Sequence, residues 1–152
     1  MSLKNINAKR QSERGFTIVE LLIVIVIIAI LAAITIVSYS GITAQANSSS
    51  AQSTAANVMK KLEAWNATKG TYPTSYGSLK ASSEVNEPYY IPSSINITGT
   101  AIGSAPSDPN TVNIYRCDSG KGAQVRYWKY DGTPALQTIT TGSQASCSLL
   151  TS

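Results

Sequence analysis

The stretch GFTIVELLIVIVIIAILAAITIV, residues 15–37, decides how the rest of this chain is read. Residues 21–34 are fourteen consecutive positions without a polar side chain. At 1.5 Å rise per residue, about twenty apolar residues cross a hydrocarbon layer of roughly 30 Å. The stretch is therefore read as a helix long enough to span a membrane. One residue disturbs that reading. Glu20 is an acid just inside the apolar run, and a carboxylate there costs about 2.5–3.5 kcal/mol on insertion scales. A group so expensive needs a partner and a task.

Outward toward the N-terminus, residues 1–14 (MSLKNINAKRQSER) are polar and basic, with no apolar periodicity. Lys4, Lys9, Arg10 and Arg14 against Glu13 put +3 there, and the other 138 residues carry eight basic and seven acidic side chains. The formal charge of +4 thus belongs mainly to a short tail, where positive charge sets membrane orientation. It does not describe a nucleic-acid-binding body. Three readings fit a basic tail followed by an apolar helix. A cleaved secretory signal has the tempting Ala44-Gln45-Ala46 downstream, but that triplet lies some ten residues beyond the apolar core, and the apolar run exceeds the usual h-region of about 7–15 residues. A plain membrane anchor satisfies the length. Neither accounts for Glu20 or for the abrupt Arg14-Gly15-Phe16 boundary.

The third reading accounts for both. Arg14-Gly15-Phe16-Thr17-Ile18-Val19-Glu20-Leu21 resembles the class III signal of type IV pilins, a family related to type II secretion pseudopilins. The resemblance implies a leader, residues 1–15, cut between Gly15 and Phe16 by a prepilin peptidase, which also methylates the new Phe16 amine. It implies that Glu20 pairs with the Phe16 amine of a neighbouring copy and fixes the axial offset between subunits. A charge pair one residue out of register strands both charges, so such a pair serves register better than net stability. The simpler reading of Glu20 is an acid placed favourably at a helix N-terminus, and Thr17 stands ready to hydrogen-bond nearby. The family usually has Pro at the position held here by Val37, and this chain has no Pro before Pro73.

On the C-terminal side, Ala51, Ala55, Val58, Leu62 and Trp65 recur at helical spacing. The pattern predicts one helix over 16–69: an apolar transmembrane and polymerisation half, 16–37, then an amphipathic half, 38–70, with Lys60, Lys61 and Glu63 on its wet side. Gly70 is the expected stop, with Pro73 after it. Residues 71–152 form the predicted head. Within it, residues 74–112 read as a connecting loop with weak strands at 89–91 and 95–98. The strong strand signals are 113–117, 124–130 and 136–140, with Asp131-Gly132 expected as a two-residue hairpin turn. Val125 and Tyr127 are assigned to one face, and Arg126, Trp128 and Tyr130 to the other. The fold class is α+β, a long N-terminal helix packed through its C-terminal half on a small antiparallel sheet.

Cys117 and Cys147 do not make a CxxC pattern, and in an exported chain one disulfide is the default. Two reduced core cysteines are the alternative. A Cys117–Cys147 bond would resemble the disulfide-bounded C-terminal loop common in pilins. There is no histidine, and no GxSxG, Walker, HExxH or EF-hand pattern is present. No enzyme, no cofactor and no metal are expected. Asp108, Asp118 and Asp131 lie in loops without D-x-D spacing. The tyrosines and tryptophans at 89–90, 115, 127, 128 and 130 are read as the covering of a small sheet. Asn47, Asn66 and Asn96 begin N-x-[ST] triplets at a frequency expected by chance.

The resemblance implies a structural pilus subunit for attachment, motility or DNA uptake. Its partners are other copies of itself, the prepilin peptidase, the assembly platform, motor ATPases and, before assembly, the membrane. The precursor would sit in the cytoplasmic membrane with its N-terminus inside, and the assembled chain outside the cell. The alternatives are a type II secretion pseudopilin or minor pilin, and a monomeric membrane-anchored adhesion module.

Overall fold

The structure, a computed structural model, describes residues 15–133 and 135–152. The predicted leader lies outside the described residues apart from Gly15. One helix, α1 (Ile18–Lys69), precedes five strands: β1 (Asn96–Ile97), β2 (Thr111–Cys117), β3 (Gly122–Trp128), β4 (Leu136–Gly142) and β5 (Cys147–Leu149). The helix continues through residue 37 without a break. Contacts divide the chain into two units after Tyr39.

In the first unit, α1 starts at Ile18, two residues later than the apolar pattern suggests. Thr17 stays outside as the N-cap. Among the described residues of this unit nothing covers the helix: its large apolar side chains are between 46% (Val26) and 85% (Ile18) exposed.

The second unit, Ser40–Ser152, has a conventional core. Ala51, Ala55, Val58 and Leu62 are fully buried and Trp65 packs against the same cluster, as the spacing predicts. Met59 joins them, which widens the stripe. Lys60 and Glu63 are exposed, and Lys61 reaches sideways to donate to the Pro88 carbonyl at 2.8 Å. The helix ends at Lys69 because Gly70 turns to φ +76°, a left-handed conformation that glycine adopts without penalty.

The sheet order is β1-β2-β3-β4, with β5 also on β2. β2, β3 and β4 form the predicted antiparallel meander, and β1 adds a parallel pairing, Asn96 with Thr111 and Ile97 with Val112. The sheet is therefore mixed. Val112 and Ile114 of β2 and Ala123, Val125 and Tyr127 of β3 meet the helix stripe in one core. β2 is buried on both faces because residues 98–102 cover its other side. There Asn113, 1% exposed, donates to the carbonyls of Thr98 (2.7 Å) and Thr100 (2.9 Å) and accepts from the Ile102 amide (2.8 Å). A buried amide so fully satisfied costs little.

Three local expectations change. Residues 89–91 are not a strand, although Tyr89 and Ile91 are buried. Asp131-Gly132 is not a two-residue hairpin turn: the register pairs Trp128 with Leu136, and Lys129 donates to Ala135 at 2.5 Å. The reason is a tertiary bond. Ser48 of α1 donates to Asp131 Oδ1 (2.6 Å) and accepts from the amides of Tyr130 (2.8 Å) and Asp131 (3.1 Å), which draws the loop onto the helix. Tyr130 is consequently not on the outer face with Arg126 and Trp128. It packs against the core, and its hydroxyl donates to Pro106.

Candidate assembly site

Gly15 and Phe16 precede the helix outside regular secondary structure, and Phe16 is 84% exposed. A shallow apolar concavity is lined by Phe16, Glu20, Leu21, Val24 and Ile25, the last four on one helical face. The first amides of any helix lack intrahelical acceptors. Here Thr17 and Glu20 supply them reciprocally. The Glu20 amide donates to Thr17 Oγ1 (3.1 Å), and Glu20 Oε2 accepts from the Thr17 amide (3.2 Å) and hydroxyl (3.0 Å). This is the T-x-x-E capping box. The T-x-x-E spacing stands in the sequence, where only a nearby hydrogen bond of Thr17 was expected. Glu20 is exposed and sits in the first helical turn, where the helix dipole favours an anion. The segment thus combines a fixed carboxylate with an apolar surface that the described residues leave uncovered.

A second arrangement closes the far end of the chain. Cys117 and Cys147 are bonded, with Cα atoms 4.0 Å apart, and face each other directly in the β2–β5 register. The bond joins the C-terminal strand to the most buried strand of the sheet. Asp118, next to the first cysteine, organises the enclosed loop. Its Oδ2 accepts from the Ser143 hydroxyl and the Ala145 amide, and its Oδ1 from the Ser146 amide. The Ser143 hydroxyl foremost, then the Ala145 amide, holds the Asp118 carboxyl below the usual carboxylate range.

Gly120 ties this region to the end of α1. It takes φ +99°, and a Cβ there would lie 2.1 Å from Thr71 Oγ1 and 2.4 Å from the Arg116 guanidinium. Its carbonyl accepts from the Tyr72 amide at 3.1 Å, while Arg116 donates to the carbonyls of Tyr72 (3.1 Å) and Ser119 (2.7 Å). The helix exit and the β2–β3 turn are therefore locked together.

The three loop aspartates do not converge. Asp118 serves its loop, Asp131 serves Ser48, and Asp108 accepts from the Asn110 amide. Among the described residues no group of three acids, cysteines or histidines is placed to hold a metal ion. Of the aromatic residues read as covering the sheet, Tyr89, Tyr115 and Tyr127 are buried and Tyr90, Trp128 and Tyr130 half-buried; Tyr89 meets Trp65 of α1 edge-on at 4.8 Å.

Comparison with known proteins bears directly on the N-terminal segment. Residues 10–36 match the family model described as the prokaryotic N-terminal methylation motif. The fimbrial protein EcpC of Eikenella corrodens is 32% identical over 124 residues, covering 82% of this chain and 80% of the relative. No solved structure gives a significant match. The methylation motif at the start of the apolar helix, and a fimbrial relative that extends across most of the head, establish that the chain belongs to the type IV pilin family.

Proposed function

We propose that this chain is the structural subunit of a type IV pilus, polymerised through residues 16–37. In this reading residues 1–15 are a leader removed between Gly15 and Phe16, and the Phe16 amine is methylated. Residues 38–70 and 71–152 carry the head on the filament surface. The observation that carries the reading is the exposed, capped Glu20 at the start of an uncovered apolar helix. A membrane covers such a helix before assembly, and neighbouring copies of the same helix cover it afterwards.

Glu20 then has two successive partners. Within one chain it caps Thr17. In the filament its carboxylate meets the Phe16 amine of the next copy, and the desolvated pair sets the register. Glu20→Gln separates these uses, because glutamine also completes a capping box but carries no charge. The proposal expects both Glu20→Gln and Glu20→Ala to insert in the membrane yet yield few surface filaments, as counted by electron microscopy. Filaments of normal number from Glu20→Gln would reduce Glu20 to a cap and overturn the register role. Mass spectrometry of surface material should find a mature chain starting at methylated Phe16.

A further inference from the structure

The helix–sheet core stops short of the β3–β4 hairpin. Beyond Ala51, where apolar contact would continue, the structure opens a polar cleft of about 280 Å³ between α1 and the strands. Its floor is Tyr127. That side chain is 8% exposed, yet its hydroxyl has no hydrogen-bond partner among the described residues, and burial alone pushes the phenol upward. A hydroxyl on a cleft wall with no protein partner is free to meet water or a ligand. Gln45 and Gln52, seven positions apart on one helical face, line the cleft from α1. Gln137, directly across from Tyr127 in the β3–β4 register, lines it from the sheet. Lys129 and Asp131, whose Nζ and Oδ1 are 3.8 Å apart, also line it.

We propose that this cleft binds one uncharged sugar ring, a hexose or N-acetylhexosamine unit. Sugar hydroxyls both donate and accept, and the amides of Gln45 and Gln52 each offer two donors and an acceptor within one planar group. The Lys129–Asp131 pair presents one donor cation and one acceptor anion with no net charge. An anionic ligand would meet Asp131 and a cationic one Lys129, whereas a neutral polyol uses both. The volume is near the lower limit for small-molecule sites, which limits the buried part to a single ring. The proposal does not depend on Glu20 or on polymerisation.

The test is saturation-transfer NMR on the full-length chain in detergent, with the methyl glycosides of galactose, glucose, N-acetylgalactosamine and N-acetylglucosamine as probes. The expected result is transfer to at least one of them with Kd on the order of 1 mM, the range of a small polar ligand. Tyr127→Phe removes only the unpartnered hydroxyl, and Gln52→Ala substitutes a good helix former at an exposed position. Each should weaken that binding at least about fivefold, a loss of one or two hydrogen bonds. Should Tyr127→Phe alter folding, seen as a changed melting temperature, Gln52→Ala alone decides. No transfer from any glycoside, transfer undiminished by Gln52→Ala, or stronger transfer to glucose 6-phosphate than to glucose would each overturn the proposal.

Discussion

The two parts of α1 present similar apolar side chains to opposite fates. Up to Tyr39 the isoleucines, leucines and valines are about half or more exposed, whereas from Ala51 to Leu62 their counterparts are at or near zero. The difference is not in the backbone, which is helical throughout. It lies in what the rest of the chain provides. Strands β2 and β3 cover the second region with Val112, Ile114, Val125 and Tyr127. Among the described residues nothing comparable covers the first region. Burial of apolar surface stabilises by about 25 cal/mol per Å² wherever the cover comes from, and within the described residues only the second region gains it.

Cavity-forming substitutions sharpen that contrast most. Leu62→Ala should cost about 3–5 kcal/mol of head stability, since the site is sealed by helix and sheet. Ile28→Ala, in the uncovered part, should change denaturation of the detergent-solubilised chain by no more than about 0.5 kcal/mol. Chemical denaturation of the two variants checks both values, and equal losses would erase the distinction.

Next in size is the disulfide. Cys147→Ser opens a loop with a sequence separation of 30, and loop-closure entropy puts the expected loss at about 3.6 kcal/mol. The loss should appear in the melting of the head, while helicity of residues 18–39 stays unchanged by hydrogen exchange.

The capping box gives a smaller effect confined to the first unit. Thr17→Ala removes the acceptor of the Glu20 amide and should cost about 1 kcal/mol of local helix stability. Faster amide exchange at residues 18–20, with none at 51–62, would be the signature.

The smallest effect is a pH dependence of the head. Asp118 and Asp131 are both held below their ordinary range, chiefly by the hydroxyls of Ser143 and Ser48. A carboxyl with a depressed folded pKa binds fewer protons folded than unfolded. Its contribution is therefore complete above the unfolded value of about 3.9 and disappears as pH falls through the lower folded value. Melting temperature should fall below about pH 4, and Asp118→Asn should flatten that decline. An unchanged acid profile in Asp118→Asn would deny Asp118 its role in the loop.

Much of this molecule is local in origin and so was legible in the sequence. The apolar run of residues 21–34, the T-x-x-E at Thr17 and Glu20, the stripe from Ala51 to Trp65 and the Gly70 stop depend on neighbours within a turn or two. The strands around Val125 and Ile139 follow from alternation. The sequence also carried the methylation motif that led to the family. What escaped it depends on distant pairs. Ser48 and Asp131 are 83 residues apart and turned an expected tight hairpin into a loop held by the helix. The weak strand expected at 95–98 formed as Asn96–Ile97, but its parallel pairing with β2, which makes the sheet mixed, was not expected. Asn113 reads as an ordinary polar strand residue until residues 98–102 close over it. Periodicity determined which residues avoid water. Only the tertiary structure decided which of them meet each other, because those pairings are long-range contacts that no local pattern encodes.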